Sequence, residues 1–412
     1  MPRILIALLL LVVPAAADTV DDLLADTVAD RRWLHEHPEL SGREHATRDY
    51  LARSVAAIEG VEPVPGDWGG GLVYVLAGAR PGPTVLWRAD MDALPLTETT
   101  GVPFASTVTD TLRGAPTGVM HACGHDIHMS VALGAMRLLA ARRADLPGRL
   151  VFVFQPAEEI GAGARQLIAA GVLEGDLAPD RVFALHVHPT LLAGQAGVCA
   201  GPSTANVDGF RLTVRGAGGH GAYPHRTVDP VSLACRMVLA VNDVIAREID
   251  PNHPAVISFG RIEGGRKANV IPDEVRLEAT VRTRDPQTRA LVEQKVARTV
   301  RGLAGAAGAP EPVFEFYQGT PAGYNDPELS REVMAVIARQ LGPENAVDYP
   351  PGMGGEDFGR FSSAVPGVQF RLGVGRPDRD MSLHSPAFDP DESSVTVGAR
   401  LVAAILEDQL SR

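Results

Sequence analysis

The chain has 412 residues, 45% hydrophobic and 21% charged, a balance that suits a folded two-domain enzyme and excludes an intrinsically disordered chain. A formal net charge of −12 argues against nucleic acid or an anionic membrane surface as partner. Only two of the basic residues are lysines, Lys267 and Lys295, which leaves little scope for Schiff-base chemistry.

Met1-Pro2-Arg3, an apolar stretch from Ile4 to Val13 and Pro14-Ala15-Ala16-Ala17 have the basic start, short apolar core and small-residue cleavage site of a secretory signal peptide, residues 1–17. The apolar run is short for a bilayer span. The expectation is export to a periplasm or the exterior, with no stable membrane insertion after cleavage. From Asp18 to about Ile58, Val20, Leu23, Leu24 and Val28 recur at helix spacing. Strands follow at Gly71–Leu76 and Thr84–Arg88, then a helix with Asp126 as its cap, carrying Ile127, Val131, Leu133, Met136 and Leu138. Strands at Arg149–Phe154 and Val182–Leu185 continue the alternation, which predicts an α/β domain with a mostly parallel sheet flanked by helices.

After about Ser203 the order changes to strand (210–214), helix (228–247), strands (255–261 and 275–282), helix (286–303) and strand (313–317). That is the βαββαβ order of a ferredoxin-like α+β unit. Helix and strand patterns resume at 328–341, 368–372 and 392–410. Residues 18–204 and 320–412 are therefore expected to form one domain, into which residues 205–319 are inserted.

The chemistry-bearing residues fall at strand ends. Asp90 and Asp92 follow one strand, Glu158 and Glu159 the next, and His186 closes a third, where open α/β sheets place their binding crevice. Cys123 and His125 in His121-Ala122-Cys123-Gly124-His125-Asp126, together with His384, add a thiol and further imidazoles. Such a mixture of soft and hard donors suits a transition-metal hydrolase site. Cys123 precedes a helix whose N–H groups favour thiolate; an inert core thiol, or a nucleophile with His125 as base, are its other readings. His125 and His186 are apolar-flanked, as satisfied core histidines also are. His121, His128 and His188 lack equal support as ligands, although His128 lies one turn from His125 and could orient it. Glu158 and Glu159 should diverge, one toward metal and one toward water as the base, unless they form a solvated acidic turn. Asp90 and Asp92 share a face and suit the holding of a ligand histidine in one tautomer, with turn capping as the competitor. Cys199 and Cys235, in apolar patterns, are expected to be buried core thiols, and three cysteines are too few for a disulfide framework. In the inserted unit, His220 within Gly216–Ala222 could donate to an oxyanion and Asn269 could bind a carboxylate, unless both lie in a loop without a catalytic role. Gly354–Phe358 borders the site.

Taken together, the segments Trp33–Leu40, Arg88–Pro95, His121–Asp126, Phe154–Glu159, Gly218–His225, Asn269–Asp273, Gly355–Phe358 and His384–Pro386 resemble the M20 peptidase family. The similarity is greatest to its amidohydrolase branch of hippurate hydrolases, N-acyl-amino-acid amidohydrolases and auxin-conjugate hydrolases. The resemblance implies two divalent metal ions, Mn²⁺ or Zn²⁺, held by Cys123, His125, Glu159, His186 and His384, with Glu158 as catalytic acid/base and Asp92 beside it. It also implies hydrolysis of an N-acyl amino acid or short peptide, a lid that often mediates homodimers, and His220 and Asn269 touching substrate. Two departures from the family pattern are Asp126–Met129 and the loop from Val108 to Thr117, expected at the pocket mouth.

Overall fold

A computed structural model describes residues 20–412; the signal-peptide reading of residues 1–17 lies outside the described residues. The helical pattern from Asp18 to Ile58 resolves into two helices, Val20–Glu36 and His45–Ala56. Pro38 separates them, because proline lacks an N–H and turns the preceding residue away from helical dihedrals. The Glu39 carboxylate then accepts the N–H groups of Ala46 (3.1 Å) and Thr47 (2.8 Å) at the start of the second helix.

The larger sheet has eight strands in the spatial order Val61–Pro63, Leu72–Ala77, Pro147–Gln155, Arg80–Asp90, Arg181–Leu192, Gly367–Gly375, Ala196–Val198 and Ala346–Asp348. Its four central strands, Pro147–Gln155 through Gly367–Gly375, run parallel, and Leu72–Ala77 and Ala196–Val198 flank them antiparallel. A parallel sheet must be covered on both faces. Val85 and Trp87 point to a core built with the helices His125–Ala140 and Ser393–Leu410. Leu86, between them, points to the opposite core with Ala164, Leu167 and Phe361. Period-2 alternation thus sends neighbouring residues of one strand to two separate apolar layers.

The helix His125–Ala140 is not opened by an Asp126 cap. Gly124 precedes it in a left-handed conformation (φ 85°), and a Cβ there would meet Val187 Cγ2 at 2.4 Å, so both dihedral and space demand glycine. Asp126 lies inside the first turn, and its carboxylate accepts from Arg31 Nε (3.0 Å) and His35 Nδ1 (2.8 Å) of the first helix. The Val108–Thr117 segment is a hairpin, Thr109–Leu112 with Ala115–Gly118, turned by Arg113 and Gly114 at positive φ. Arg43, just before the second helix, ties it to that segment through Asp110 (2.6 Å), and the hairpin does not line the cleft described below.

The inserted unit builds an antiparallel four-stranded sheet ordered Ala255–Gly264, Glu274–Thr283, Asn206–Arg215, Val313–Thr320, which is strand order 2-3-1-4 of the βαββαβ unit. Phe210 and Leu212 pack there against Met237 and Val241 of Pro230–Glu248 and Val292 and Val296 of Pro286–Ala306. Cys235 is exposed rather than buried: it stands about half a helical turn from the Leu233, Met237 and Val241 stripe. Cys199 is buried as expected. The two connections between the sheets pair with each other, Gly201–Pro202 against Tyr324–Asn325. Among the described residues no helix is long and apolar enough to cross a membrane.

His35 is clamped between Asp126 and Glu98 (3.1 Å) in the interior. Burial alone would pull this imidazole down, but the two carboxylates outweigh it and its pKa rises above the ordinary 6.5. A raised folded-state pKa means the native state holds the proton more tightly. The stabilisation is therefore complete below the unfolded value and is lost as pH climbs through the folded one. The stability gap between wild type and His35→Gln, from urea denaturation, should be widest below pH 6.5 and shrink at alkaline pH; a pH-independent gap would show that His35 is neutral.

Candidate metal centre and its cleft

At the carboxyl ends of the central strands lies a cleft of about 730 Å³, closed on the far side by the four-stranded sheet. Cys123 is among the residues that line it. The thiol is 3.4 Å from His186 Nε2 and 3.3 Å from His384 Nε2. Glu159 Oε1 is 3.7 Å from His384 Nε2 and 3.9 Å from His125 Nε2. Ligand atoms of Cys123, His125 and His186 all lie within 4.8 Å of one another, as do those of Cys123, Glu159 and His384. One thiol is thus common to two clusters of donors.

The tautomers follow from what the other ring nitrogens touch. His125 Nδ1 meets the Asp92 carbonyl at 2.7 Å and His186 Nδ1 meets the Val187 carbonyl at 2.7 Å. A carbonyl only accepts, so both Nδ1 atoms carry a proton and both Nε2 atoms are turned toward the donor cluster. His125 Nε2 and Glu159 Oε1 are buried with no hydrogen-bond partner, and a desolvated acceptor left so is costly. These orphaned acceptors around a thiol fit divalent cations. His128 does not belong to the set, because its Nε2 accepts the Val187 N–H (3.0 Å) and its Nδ1 donates to Asp90. His121 is buried with both nitrogens unpartnered, and burial pushes its pKa down to about 3, so it stays neutral. His188 lines the cleft, held neutral near 4 by burial and by the Arg371 cation.

Helix position alone does not make Cys123 a thiolate. Burial, reinforced by Glu159, pushes the thiol well above its usual range. Burial likewise lifts Glu159 to about 7 and Glu158 well above the carboxylate range, the latter with help from Glu356 and Asp357. Negative charge on Cys123, Glu158 and Glu159 is thus disfavoured until a cation compensates it.

Asp92 does more than orient one histidine. Its carboxylate accepts the N–H groups of Glu158 (3.1 Å) and Glu159 (3.0 Å) and the Ser41 hydroxyl (2.6 Å), while its carbonyl fixes His125. Ala157, just before the two glutamates, has φ 54°, a conformation non-glycine residues rarely adopt, and Glu44 Oε1 accepts its N–H at 2.7 Å. His384 shares the left-handed region at φ 60°, tied by its N–H to the Ala122 carbonyl (2.9 Å). The resulting turn sends Glu159 toward Cys123 and leaves Glu158 beside Glu356 and Asp357.

His220 and Asn269 are brought to each other but not to the cleft. His220 pairs with Val270 in a two-stranded ribbon, the Gly221 N–H donates to the Asn269 carbonyl (2.9 Å), and both side chains are exposed. The inserted unit instead presents Arg282, Tyr317 and Gln318, none of which the sequence reading selected. It also passed over Glu44 and Arg371, polar residues without a motif of their own, and gave no individual role to Arg88 or Glu356 although both fall within segments it named.

Residues 86–408 match the peptidase family M20/M25/M40. The chain is 38% identical over 377 residues to the N-acetylcysteine deacetylase of Bacillus subtilis, covering 91% of this chain and 94% of that protein. It is 37% identical over 386 residues to thermostable carboxypeptidase 2 of Saccharolobus solfataricus, covering 92% and 94%. A solved Bacillus subtilis structure, described as a dinuclear metal binding peptidase from the M20 family, superposes with a TM-score of 0.82 at 34% identity over 95% of this chain and 99% of that one. The chain belongs to that family: it is a metal-dependent hydrolase of carbon–nitrogen bonds.

Proposed function

We propose that the protein is an exported amidohydrolase that releases the amino acid from an N-acyl amino acid. The observation that carries this reading is a complete donor set around Cys123 with one carboxylate, Glu158, left over beside it. Cys123, His125, Glu159, His186 and His384 would hold two divalent ions, Mn²⁺ or Zn²⁺. When bound, such ions polarise an amide carbonyl and lower the pKa of water. Glu158 takes the proton from the attacking water and returns it to the leaving nitrogen, a role its buried position beside Glu159 suits. Asp92 keeps the two glutamates and His125 in register. His220 would donate to the oxyanion and Asn269 to the substrate carboxylate. Their distance from the cleft means that lid closure, or the lid of a second copy in a homodimer, must deliver them. The similarity to an N-acetylcysteine deacetylase supports an acyl substrate, and the similarity to a carboxypeptidase supports a peptide as the second reading. Comparing a dipeptide with its N-acetylated analogue separates the two.

Glu158→Gln should retain its metal content while turnover of an N-acetyl amino acid falls by about 10²–10⁴-fold, the usual contribution of a general base. Near-normal turnover with metal in place would remove Glu158 from that role. Because a coordinating thiol must give up its proton, loading the chelator-stripped protein with Mn²⁺ or Zn²⁺ should restore turnover and release protons into the buffer. Calorimetry in buffers of different ionisation enthalpy reads that release, and Cys123→Ser should reduce it. Equal release from both proteins would mean the thiol is not a ligand.

A further inference from the structure

Four arginines, Arg165, Arg282, Arg360 and Arg371, line the cleft. Among the described residues none of the four forms an ion pair with a carboxylate, whereas nearby Arg88 and Arg289 are each bound to one. Arg282 donates only to the Val281 carbonyl (3.1 Å) and the Thr280 hydroxyl. Arg360 donates to the Gly319 carbonyl (3.0 Å), and its Nε is buried with no partner. Arg371 is partly buried, finds no side-chain hydrogen-bond acceptor among the described residues, and stands directly across from His186 in the parallel strand register. The carboxylates of this cleft are already engaged: Glu356 and Asp357 hold Arg88, and Glu158 and Glu159 face the donor cluster.

An acidic chain with net charge −12 has no shortage of carboxylates to satisfy arginines. Guanidinium forks that stay unpaired in one half-enclosed space therefore mark where an anion arrives, since bidentate carboxylate recognition is what this group does best. Every N-acyl amino acid brings one carboxylate. Four unpaired forks, contributed by both walls of the cleft, exceed what one carboxylate can occupy.

Resting on the amidohydrolase reading, we propose that the cleft selects N-acyl amino acids carrying a second carboxylate. Arg371 grips one carboxylate beside the donor cluster, and Arg165, Arg282 and Arg360 receive the other. The second carboxylate belongs either to the acyl chain, as in a succinyl group, or to the amino-acid side chain, as in glutamate.

Two substrate pairs that differ only in charge test this with the metal-loaded enzyme: N-acetylglutamate against N-acetylglutamine, and N-succinylalanine against its terminal amide. One acid should exceed its amide in kcat/KM by about tenfold or more, as an unsatisfied buried charge pair predicts, and the pair that does so identifies the source. Of Arg371→Gln and the exposed Arg165→Gln, the variant whose arginine holds the carboxylate that differs within the pair should lower that ratio toward one, and the other should lower kcat/KM for acid and amide alike, with Arg371→Lys keeping part of what Arg371→Gln loses. Ratios near one for both pairs in the wild type overturn the proposal, as does a ratio untouched by every arginine variant. Calorimetric titration of Glu158→Gln with the same pairs reads binding without turnover. Tighter binding of the acid, with no hydrolysis of any of the four compounds by wild type, would uphold the subsite and overturn the amidohydrolase reading instead.

Discussion

The site depends on one buried cation. Arg88, at the end of the central strand Arg80–Asp90, has its side chain sealed from water and spends its guanidinium on Asp90, Gln155, Glu356 and Asp357. Those partners come from three stretches of chain: the strands ending at Asp90 and Gln155 are already paired in the sheet, and the guanidinium ties both of them to the Glu356–Asp357 loop. Each then passes the constraint on. Asp90 fixes His128, which accepts the Val187 N–H; Asp357 accepts from Gln155 and from the Ala164 N–H; Glu356 accepts from Gln369. Removing one partner from such a buried network strands the opposite charges, at a typical cost of ~3–5 kcal/mol. No apolar side chain of similar volume could take the place of Arg88, because three carboxylates would remain.

Around that rigid base the donor cluster itself is unsatisfied. Backbone carbonyls hold the Nδ1 protons of His125 and His186 on the far side of each ring, so both Nε2 atoms converge on Cys123 and Glu159, where His125 Nε2 and Glu159 Oε1 have no hydrogen-bond partner. Ala157 and His384 adopt left-handed conformations in the same region. Both features oppose folding and persist only because neighbours such as Glu44, Asp92 and Ala122 over-determine the geometry. This is the expected signature of a place shaped for a ligand rather than for the apo chain's own stability.

Much of this could be read from the sequence for identifiable reasons. The strands carrying Val85, Phe152 and Phe183 have unbroken apolar centres (Val85–Trp87, Leu150–Phe154 and Val182–Leu185), which a sheet buried on both faces requires. The residues at their ends therefore had to meet, and Cys123, His125, Glu159, His186 and His384 do meet. Contacts between distant segments were not legible. Arg88 follows Trp87 in an apolar run and gives no local hint that Glu356 is its partner. Asp126 satisfied the pattern of a helix cap, yet Gly124 was needed there because Val187 leaves no room for a Cβ, and that freed Asp126 for His35. Cys235 was misplaced because the apolar stripe was read as a band wide enough to include it. Arg371 looked like an ordinary strand residue, since nothing in sequence shows that a cation lacks an anion.

The cleft and the ribbon that carries His220 answer to different constraints. Arg282 and Tyr317 belong to the lid's own sheet strands, so their place in the cleft is fixed as firmly as that sheet is. His220 lies on the two-stranded ribbon between the first strand and first helix of the lid, outside that sheet. Substrate can therefore be held by the static walls before any oxyanion donor from the ribbon is in reach. An oxyanion donor contributes only within about 3 Å of the developing charge. On the proposed reading, binding and chemistry are thus physically separable: the arginines and the Cys123 cluster set which amide is held. The arrival of the ribbon, by closure or from a second copy, then governs how fast it is cut.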